Sequence, residues 1–408
     1  TPKTADQDDK VPLYVPIRTE FLSKDTGSKR AISEGTRNII VDSETASVTL
    51  PQTDVVPVFL DQFSAPVVIQ YDQSVDELMT IISDSTSDYA RWDASQLLYS
   101  RWIMADYDNN ANDNSAEIAT YAALVSELDV SLDVIYELLT LPAFDDLAGQ
   151  KADIDPLALE QSITTIEQAV AKSLYSYCIT KLQHIVGEPY LYEQRQVHQR
   201  SAAFVWLKMA CIAESVDEHN EGNAMPMLRQ RYFQADNMTD TLNCLKIAQH
   251  VDLGLFDELM EDFEKSYRDD AIVMDKWFSL HATTHREDIL ARLDLLMAHA
   301  AFDFNNPNKV RAVIGSFGFF NVTGLHAKNK TGYKFLCDHI IKLDQRNPQV
   351  ASRILTPMLS FKRYAPPYQD AMKEQLARMF NTKGLSKDLF EKISKSLSVA
   401  EKHTSENA

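Results

Sequence analysis

The residue period of this chain changes at Ser74, and that change narrows the folds open to it. Before it, Leu13, Val15, Ile17 and Phe21 alternate with Tyr14, Arg18 and Glu20, the period-2 pattern of a half-buried strand. β-rich segments continue at Ile39–Val41, Ser47–Leu50, Val55–Leu60 and Val67–Tyr71, with a turn at Asp25-Thr-Gly-Ser28 and breaks at Pro51, Pro57 and Pro66. Proline has no N–H to give a ladder, so these positions belong on edge strands or strand ends. The pattern predicts a small immunoglobulin-like β-sandwich over residues 1–72, with residues 1–10 disordered.

From Ser74 onward the pattern is helical. Ser74-Val-Asp-Glu77 is a capping box, and Val75, Leu78, Met79 and Ile82 follow at helical spacing. Leu98 with Trp102 and Tyr99 with Ile103 are i,i+4 pairs. Amphipathic stretches recur near 116–140, 157–184, 196–217, 239–250, 253–266, 287–301, 308–317, 331–343, 348–361 and 366–379. Polar interruptions at 109–115 and at Gly187-Glu-Pro189 separate them. The expected fold is multidomain and mainly α. A β-sandwich precedes an α-solenoid of armadillo- or HEAT-like helix pairs over residues 73–408, with 401–408 frayed.

Two helix starts within the array carry the same signature. Asn306-Pro-Asn-Lys-Val-Arg311 and Asn347-Pro-Gln-Val-Ala-Ser-Arg353 each place Asn where it can cap the orphan amides and Pro at the first helical position. The two openings lie 41 residues apart, within the period of about 40–47 residues of stacked helix pairs, so they are expected side by side on one rim. A helix N-terminus with an arginine one or two turns in suits a carboxylate, although Asn-Pro is also an ordinary way to begin a helix in water.

Composition limits the partners. The 408 residues include 40 Lys plus Arg against 59 Asp plus Glu, a formal net charge of −19, which disfavours nucleic acid and anionic membranes as partners. There is no run of 18 apolar residues, and the opening Thr1–Lys10 has neither an initiator methionine nor an apolar signal core, so the chain reads as cut from something longer. Cys178, Cys211, Cys244 and Cys337 never approach a Cys-x-x-Cys spacing, which fits buried reduced thiols in a cytoplasmic protein.

The common catalytic signatures are absent. No His-Glu-x-x-His occurs; the nearest approach, His281-Ala-Thr-Thr-His285, has alanine where a general base must stand. Thr284-His-Arg-Glu287 reads as a capping box, so the two histidines are expected to flank a helix break as exposed loop residues. No Gly-x-Ser-x-Gly elbow, P-loop or dinucleotide-binding glycine pattern occurs, and only 11 glycines are available to build one. Asp145-Asp146 and Asp269-Asp270 read as solvated helix-end charges, and Trp92, Trp102, Trp206 and Trp277 as core.

The wording of the sequence is itself informative. Asn305 to Phe317, Arg346 to Arg353 and Lys362-Arg-Tyr364 resemble the C-terminal region of the bacterial aminopeptidase N family, zinc metallopeptidases of the M1 class. Phe63-Ser-Ala-Pro66, Arg91-Trp-Asp-Ala94, Asn237-Met-Thr-Asp240 and Val273-Met-Asp-Lys-Trp-Phe278 follow the same order, so the resemblance spans about Pro12 to Ser396. It implies a chain matching only the last two domains of such an enzyme, a β-sandwich and a helical domain that caps the active site and encloses the peptide-access cavity. The implied partners are the catalytic and N-terminal domains of the same polypeptide and peptide substrates. The zinc ion and the catalytic groups would belong to a domain absent here, so this chain holds no cofactor and does not hydrolyse peptides by itself. Positions matching Gln349 and Arg353 would line the cavity near substrate, with Arg311 a basic residue on the channel wall. Gln349 and Arg353 are i,i+4, so both side chains can leave one helical face. The other reading is an independent α-solenoid scaffold that binds a protein and has no catalytic partner domain.

Overall fold

The computed structural model describes residues 13–23, 37–43, 45–47, 49, 55–109, 113–184, 193–217 and 222–406. The turn expected at 25–28, the start expected to be disordered, Val48 and Leu50 of the 47–50 segment, and the interruption at 187–189 lie outside these residues. Cα packing divides the chain into two compact units. One comprises residues 1–142, 169–187 and 191–209, the other 143–168, 188–190 and 210–408.

In the first unit, β1 (Val15–Ser23), β2 (Arg37–Val41) and β3 (Val55–Phe59) form an antiparallel sheet in the order β2-β1-β3. The register staggers the two partners, because β1 pairs with β2 through Thr19 and with β3 from Thr19 onward. Pro16 therefore sits where β1 is paired on one side only. Arg18 N–H, two residues on and on the same edge as the missing Pro16 N–H, goes to the Ser64 hydroxyl at 2.9 Å. Pro57 lies on edge strand β3, as proline chemistry requires.

Two expectations fail in this unit. Val67–Tyr71 forms no strand: Val67 N–H turns back to the Ala65 carbonyl, and Val68 is 91% exposed. Glu20, expected on the wet face of β1, is buried. Its carboxylate accepts hydrogen bonds from the Ser85 hydroxyl at 2.6 Å and from the Thr86 amide and hydroxyl at 3.2 and 3.0 Å. Three donors replace the lost water, which is why a charge is tolerated there.

Helices α1 (Val75–Asp84), α2 (Asp88–Tyr107), α3 (Ser115–Glu127) and α4 (Leu132–Leu138) complete the N-terminal part of this unit. The capping box at Ser74 is formed in both directions. Tyr99, Trp102 and Tyr121 meet edge to face at centroid distances of 5.7–5.8 Å, and both tyrosine hydroxyls donate to the Leu138 carbonyl. The single helix expected over 116–140 is two, because the chain leaves helical geometry at Leu128 and Ser131 takes an extended cap conformation.

Next come α5 (Phe144–Ala148), then α6 (Pro156–Gln183) and α7 (Gln194–Val216), each with residues in both units. The second unit continues through α8 (Ala224–Gln234), α9 (Met238–Val251), α10 (Leu253–Tyr267), α11 (Ala271–Ala282) and α12 (Ile289–Ala298). Helix α13 (Pro307–Val310) runs through a π turn, Arg311–Gly315, into α14 (Ser316–Phe320), followed by α15 (Val322–Leu325) and α16 (Thr331–Asp344). Then α17 (Pro348–Ile354), α18 (Thr356–Leu359), α19 (Pro366–Phe380) and α20 (Lys387–Glu406) close the chain. Pro357 divides the helix expected over 348–361, since it removes an interior donor. Helix α20 keeps helical backbone to Glu406, into the stretch expected to fray.

Asx side chains punctuate this array. Asn237, Asp252, Asp270, Asn306 and Asn347 each cap a helix start by accepting backbone N–H groups. Two contacts link segments distant in sequence: Ile154 and Tyr364 form a parallel bridge, and Arg363 pairs with Asp145 at 2.8 Å. Trp102, Trp206 and Trp277 are buried, and Trp92 is half-buried.

Candidate functional site

The two Asn-Pro starts are adjacent. Arg346, just before the second, donates to Asn305 Oδ1, just before the first, at 3.0 Å, and its guanidinium lies 5.2 Å from the Phe304 ring centre. In both, the asparagine accepts a backbone N–H, from Asn308 at 3.0 Å and from Val350 at 3.2 Å, with proline at the first helical position. From there the two diverge.

At the first start the interior claims the charge. Lys309 is 4% exposed, its ammonium donating to the Ala271 carbonyl at 2.6 Å and pairing with Asp275 at 2.8 Å. Arg311 stays on the surface, where it leans on Asn308 Oδ1 at 3.3 Å. At the second start Val350, Ala351 and Ile354 face the core, while Gln349 and Arg353 emerge one turn apart on the exposed side. Neither side chain has a hydrogen bond or ion pair among the described residues. Gln349 lines an open pocket of about 600 Å³ with Arg346, Asn347, Pro348, Ser386, Lys387 and Asp388. Arg311 and Arg353 are not among its walls.

Helix α20 adds cations to this edge. Lys387 borders the pocket, and Lys392 donates to the Ser352 carbonyl, beside Arg353, at 2.9 Å. Asp344 accepts Ser386 N–H at 2.7 Å and fixes the start of α20. The edge thus gathers Arg346, Arg353, Lys387 and Lys392 on a chain of net charge −19. Asp344 and Asp388 lie on the same edge and partly balance these cations. Lys387 and Lys392 are not among the residues singled out in the sequence, because 387–406, like 224–234 and 271–282, falls inside the expected helical array but outside its named amphipathic stretches.

The expected setting of the histidine pair needs correcting. His281 is not an exposed loop residue but lies in the last turn of α11, 5% exposed. Burial first, then the nearby Arg292 and Arg286 guanidiniums, push its pKa down to about 3. Thr284 caps no helix: its hydroxyl donates to the His281 carbonyl at 2.7 Å, and α12 begins at Ile289 after Asp288. The helix break between the histidines is present. Among the described residues no group of three His, Cys, Asp or Glu side chains is set to hold a metal.

The acidic pairs do hold helix starts. Asp270 caps α11, and Asp145 stands in the first turn of α5. All four cysteines are buried and free, and burial raises every thiol, Cys244 and Cys337 to about 12. No helix among the described residues is long and apolar enough to cross a membrane.

These features define a helical-repeat protein of the armadillo kind that carries a small antiparallel sheet at its N-terminus. The family model described as a domain of unknown function (DUF3458_C) with ARM repeats matches residues 75–398, and one described as a domain of unknown function (DUF3458) with an Ig-like fold matches residues 1–72. The chain belongs to this DUF3458 family. It is 34% identical over 415 residues to aminopeptidase N of Haemophilus influenzae and 31% over 408 residues to aminopeptidase N of Escherichia coli. Each alignment takes in 97% of this chain and 46% of the relative, so the chain spans about half the length of the curated proteins it matches. It corresponds to their C-terminal part. In three dimensions it is similar to the crystal structure of Legionella pneumophila aminopeptidase A in complex with aspartic acid. The TM-score is 0.80 at 25% identity, over 94% of this chain and 45% of that one.

Proposed function

We propose that this chain is the non-catalytic C-terminal portion of a zinc aminopeptidase of the M1 class, which removes N-terminal residues from peptides in the cytoplasm. In this reading it caps the active site and lines the path by which peptides reach it. The observation that carries the proposal is the alignment of nearly the whole chain with under half of two aminopeptidase N sequences. The zinc would be held by residues outside this sequence. Its chemistry there is to polarise the scissile carbonyl and activate water, and no step falls to residues of this chain. Gln349 and Arg353 serve the peptide: an unpartnered guanidinium can fork onto a carboxylate, and an unpartnered amide can pair with a peptide group. Arg311 adds charge to the same wall. The partners are then the catalytic and N-terminal domains of the same polypeptide and the peptide itself.

The test uses the full-length enzyme carrying Arg353→Ala, assayed against peptides of increasing length. KM for longer peptides should rise several-fold with kcat held, because the lost contact lies away from the reacting bond. Unchanged kinetics at every length would remove Arg353 from the peptide path. The 408-residue chain alone, supplied with zinc, should release no N-terminal residue; release would overturn the non-catalytic reading.

A further inference from the structure

The turn that follows β3 is held in a costly conformation, and what it presents is an exposed ring. Leu60, Gln62 and Phe63 have φ of 57°, 55° and 52°, a left-handed region that bulky side chains enter only under constraint. The constraint is visible. Arg18 of β1 pairs with buried Asp61 at 2.7 Å and gives its amide to the Ser64 hydroxyl, while the Gln62 amide donates to the Ser87 hydroxyl at 3.4 Å. Strain that turned Phe63 inward would be explained by core packing, but the ring is 54% exposed. It lies 5.4 Å from Tyr89, which lies 5.6 Å from Trp92, both half-buried on α2. Leu97, eight residues after Tyr89 and so on the same helical face, is 41% exposed. An aromatic and aliphatic stripe thus runs from the end of the β domain along α2.

We propose that the stripe of Phe63, Tyr89, Trp92 and Leu97 is the face on which the N-terminal half of the parent polypeptide docks. This rests on the reading of the chain as the C-terminal portion of a longer enzyme. The aligned relatives have more than half of their length outside this chain, ahead of the part it matches. In such a parent that half leads into β1, and Arg18 of β1 is the residue that holds the Phe63 turn. The stripe is therefore tied to the strand through which the two halves join, and a tethered partner docks at high effective concentration. Aromatic rings are the side chains that protein interfaces favour at their centres. A second copy of this chain is a poorer occupant, because each copy carries a net charge of −19 and two copies repel.

Thiol labelling tests the face, since all four native cysteines are buried and a maleimide reads the introduced one. Leu97→Cys should label as an open surface thiol in the 408-residue chain and at least about tenfold more slowly in the full-length enzyme, where it reacts only on local opening. Ser173→Cys, exposed on α6, should label equally in both. Phe63→Asp, added to Leu97→Cys in the full-length enzyme, should restore fast labelling, and near-ultraviolet dichroism of the 408-residue chain reports whether the variant is folded. Equal Leu97→Cys rates in the two proteins, with peptide hydrolysis intact, would overturn the docking face and leave the aminopeptidase reading standing. An inactive full-length protein would overturn that reading, and the labelling ratio would still decide the face. Slow labelling that folded Phe63→Asp does not relieve, or that Ser173→Cys shares, would also overturn the face. Labelling of the 408-residue chain that slows with rising concentration, alongside a dimer in light scattering, would give the stripe to a second copy and overturn this occupant.

Discussion

The two Asn-Pro helix starts share a motif, a cap geometry and a neighbourhood, yet they use their charges in opposite ways. At Asn306 the cation that follows, Lys309, is drawn inside and paired with Asp275 against α11. At Asn347 the corresponding turn sends Gln349 and Arg353 outward without partners, next to a pocket and a lysine-bearing helix. A capping motif therefore fixes where a helix begins, and the residues two or more positions on decide whether that start anchors the fold or presents a surface. The first start is bound into the core and the second is available to a ligand.

Removing Lys309 tests the anchoring half most severely. Lys309→Ala leaves Asp275 without its cation and the Ala271 carbonyl without its donor, so it should cost about 3–5 kcal/mol in urea unfolding, as for a broken buried pair. Lys309→Met, which keeps an unbranched apolar side chain in the same buried position, should cost less. If Lys309→Ala proved no worse than a surface change, the first start would be no anchor and the contrast would fail.

Acid should act on the same side of the comparison. The folded state holds His281 near pKa 3 against an ordinary 6.5. The unfolded chain therefore takes up this proton at a higher pH than the folded one. Stability from keeping the group neutral is complete above about pH 6.5 and is lost as pH falls toward 3. His326, buried against Tyr333, is pushed down to about 3 as well and contributes with the same sign. His281→Phe should flatten the fall in unfolding free energy between pH 7 and pH 4.5, while Arg353→Ala leaves that slope untouched. Equal slopes in wild type and His281→Phe would show that the turn between α11 and α12 takes no part in acid unfolding.

The shared element, the asparagine cap, should show the smaller effect expected of it at both starts. Asn306→Ala and Asn347→Ala each remove one side-chain acceptor for an orphan amide and should each cost about 1 kcal/mol. Near-equal losses would confirm that capping is common to both and that the difference lies downstream. A loss at Asn306 several times that at Asn347 would instead place the anchor in the cap itself.

These features were unevenly legible in the sequence. Local signals were clear: the capping box at Ser74 and the Asn-Pro caps depend on side chains that bond within three residues, and all three formed. Periodicity found most helices but ran through the breaks at Leu128 and Pro357, where a cap or a missing donor overrides an apolar stripe. What stayed hidden depends on long-range packing. Glu20 looks like a surface residue in β1 until Ser85 and Thr86 cover it, and His281 looks like a loop residue until α10 closes over it through Phe256. The basic edge was half visible, because Gln349 and Arg353 lie in the motif while Lys387 and Lys392 arrive on a helix whose own pattern went unread.

The smallest expected effect is the most discriminating one. Gln349 and Arg353 are exposed and bond to nothing described, so Gln349→Ala and Arg353→Ala should each leave stability within about 0.5 kcal/mol of wild type. A surface side chain with no partner has little to contribute to folding. If it is retained for a ligand, its loss must show in binding alone. Pairing the two measurements separates the roles: a variant neutral in urea but altered in peptide KM in the full-length enzyme has a ligand-facing side chain, and one altered in urea has an undetected structural partner. Arg311→Ala makes the internal control, because its guanidinium rests on Asn308 at the anchored start. It should be equally neutral in urea and move KM less than Arg353→Ala. The reverse order, with Arg311 dominating KM, would transfer the ligand-facing role from the second start to the first.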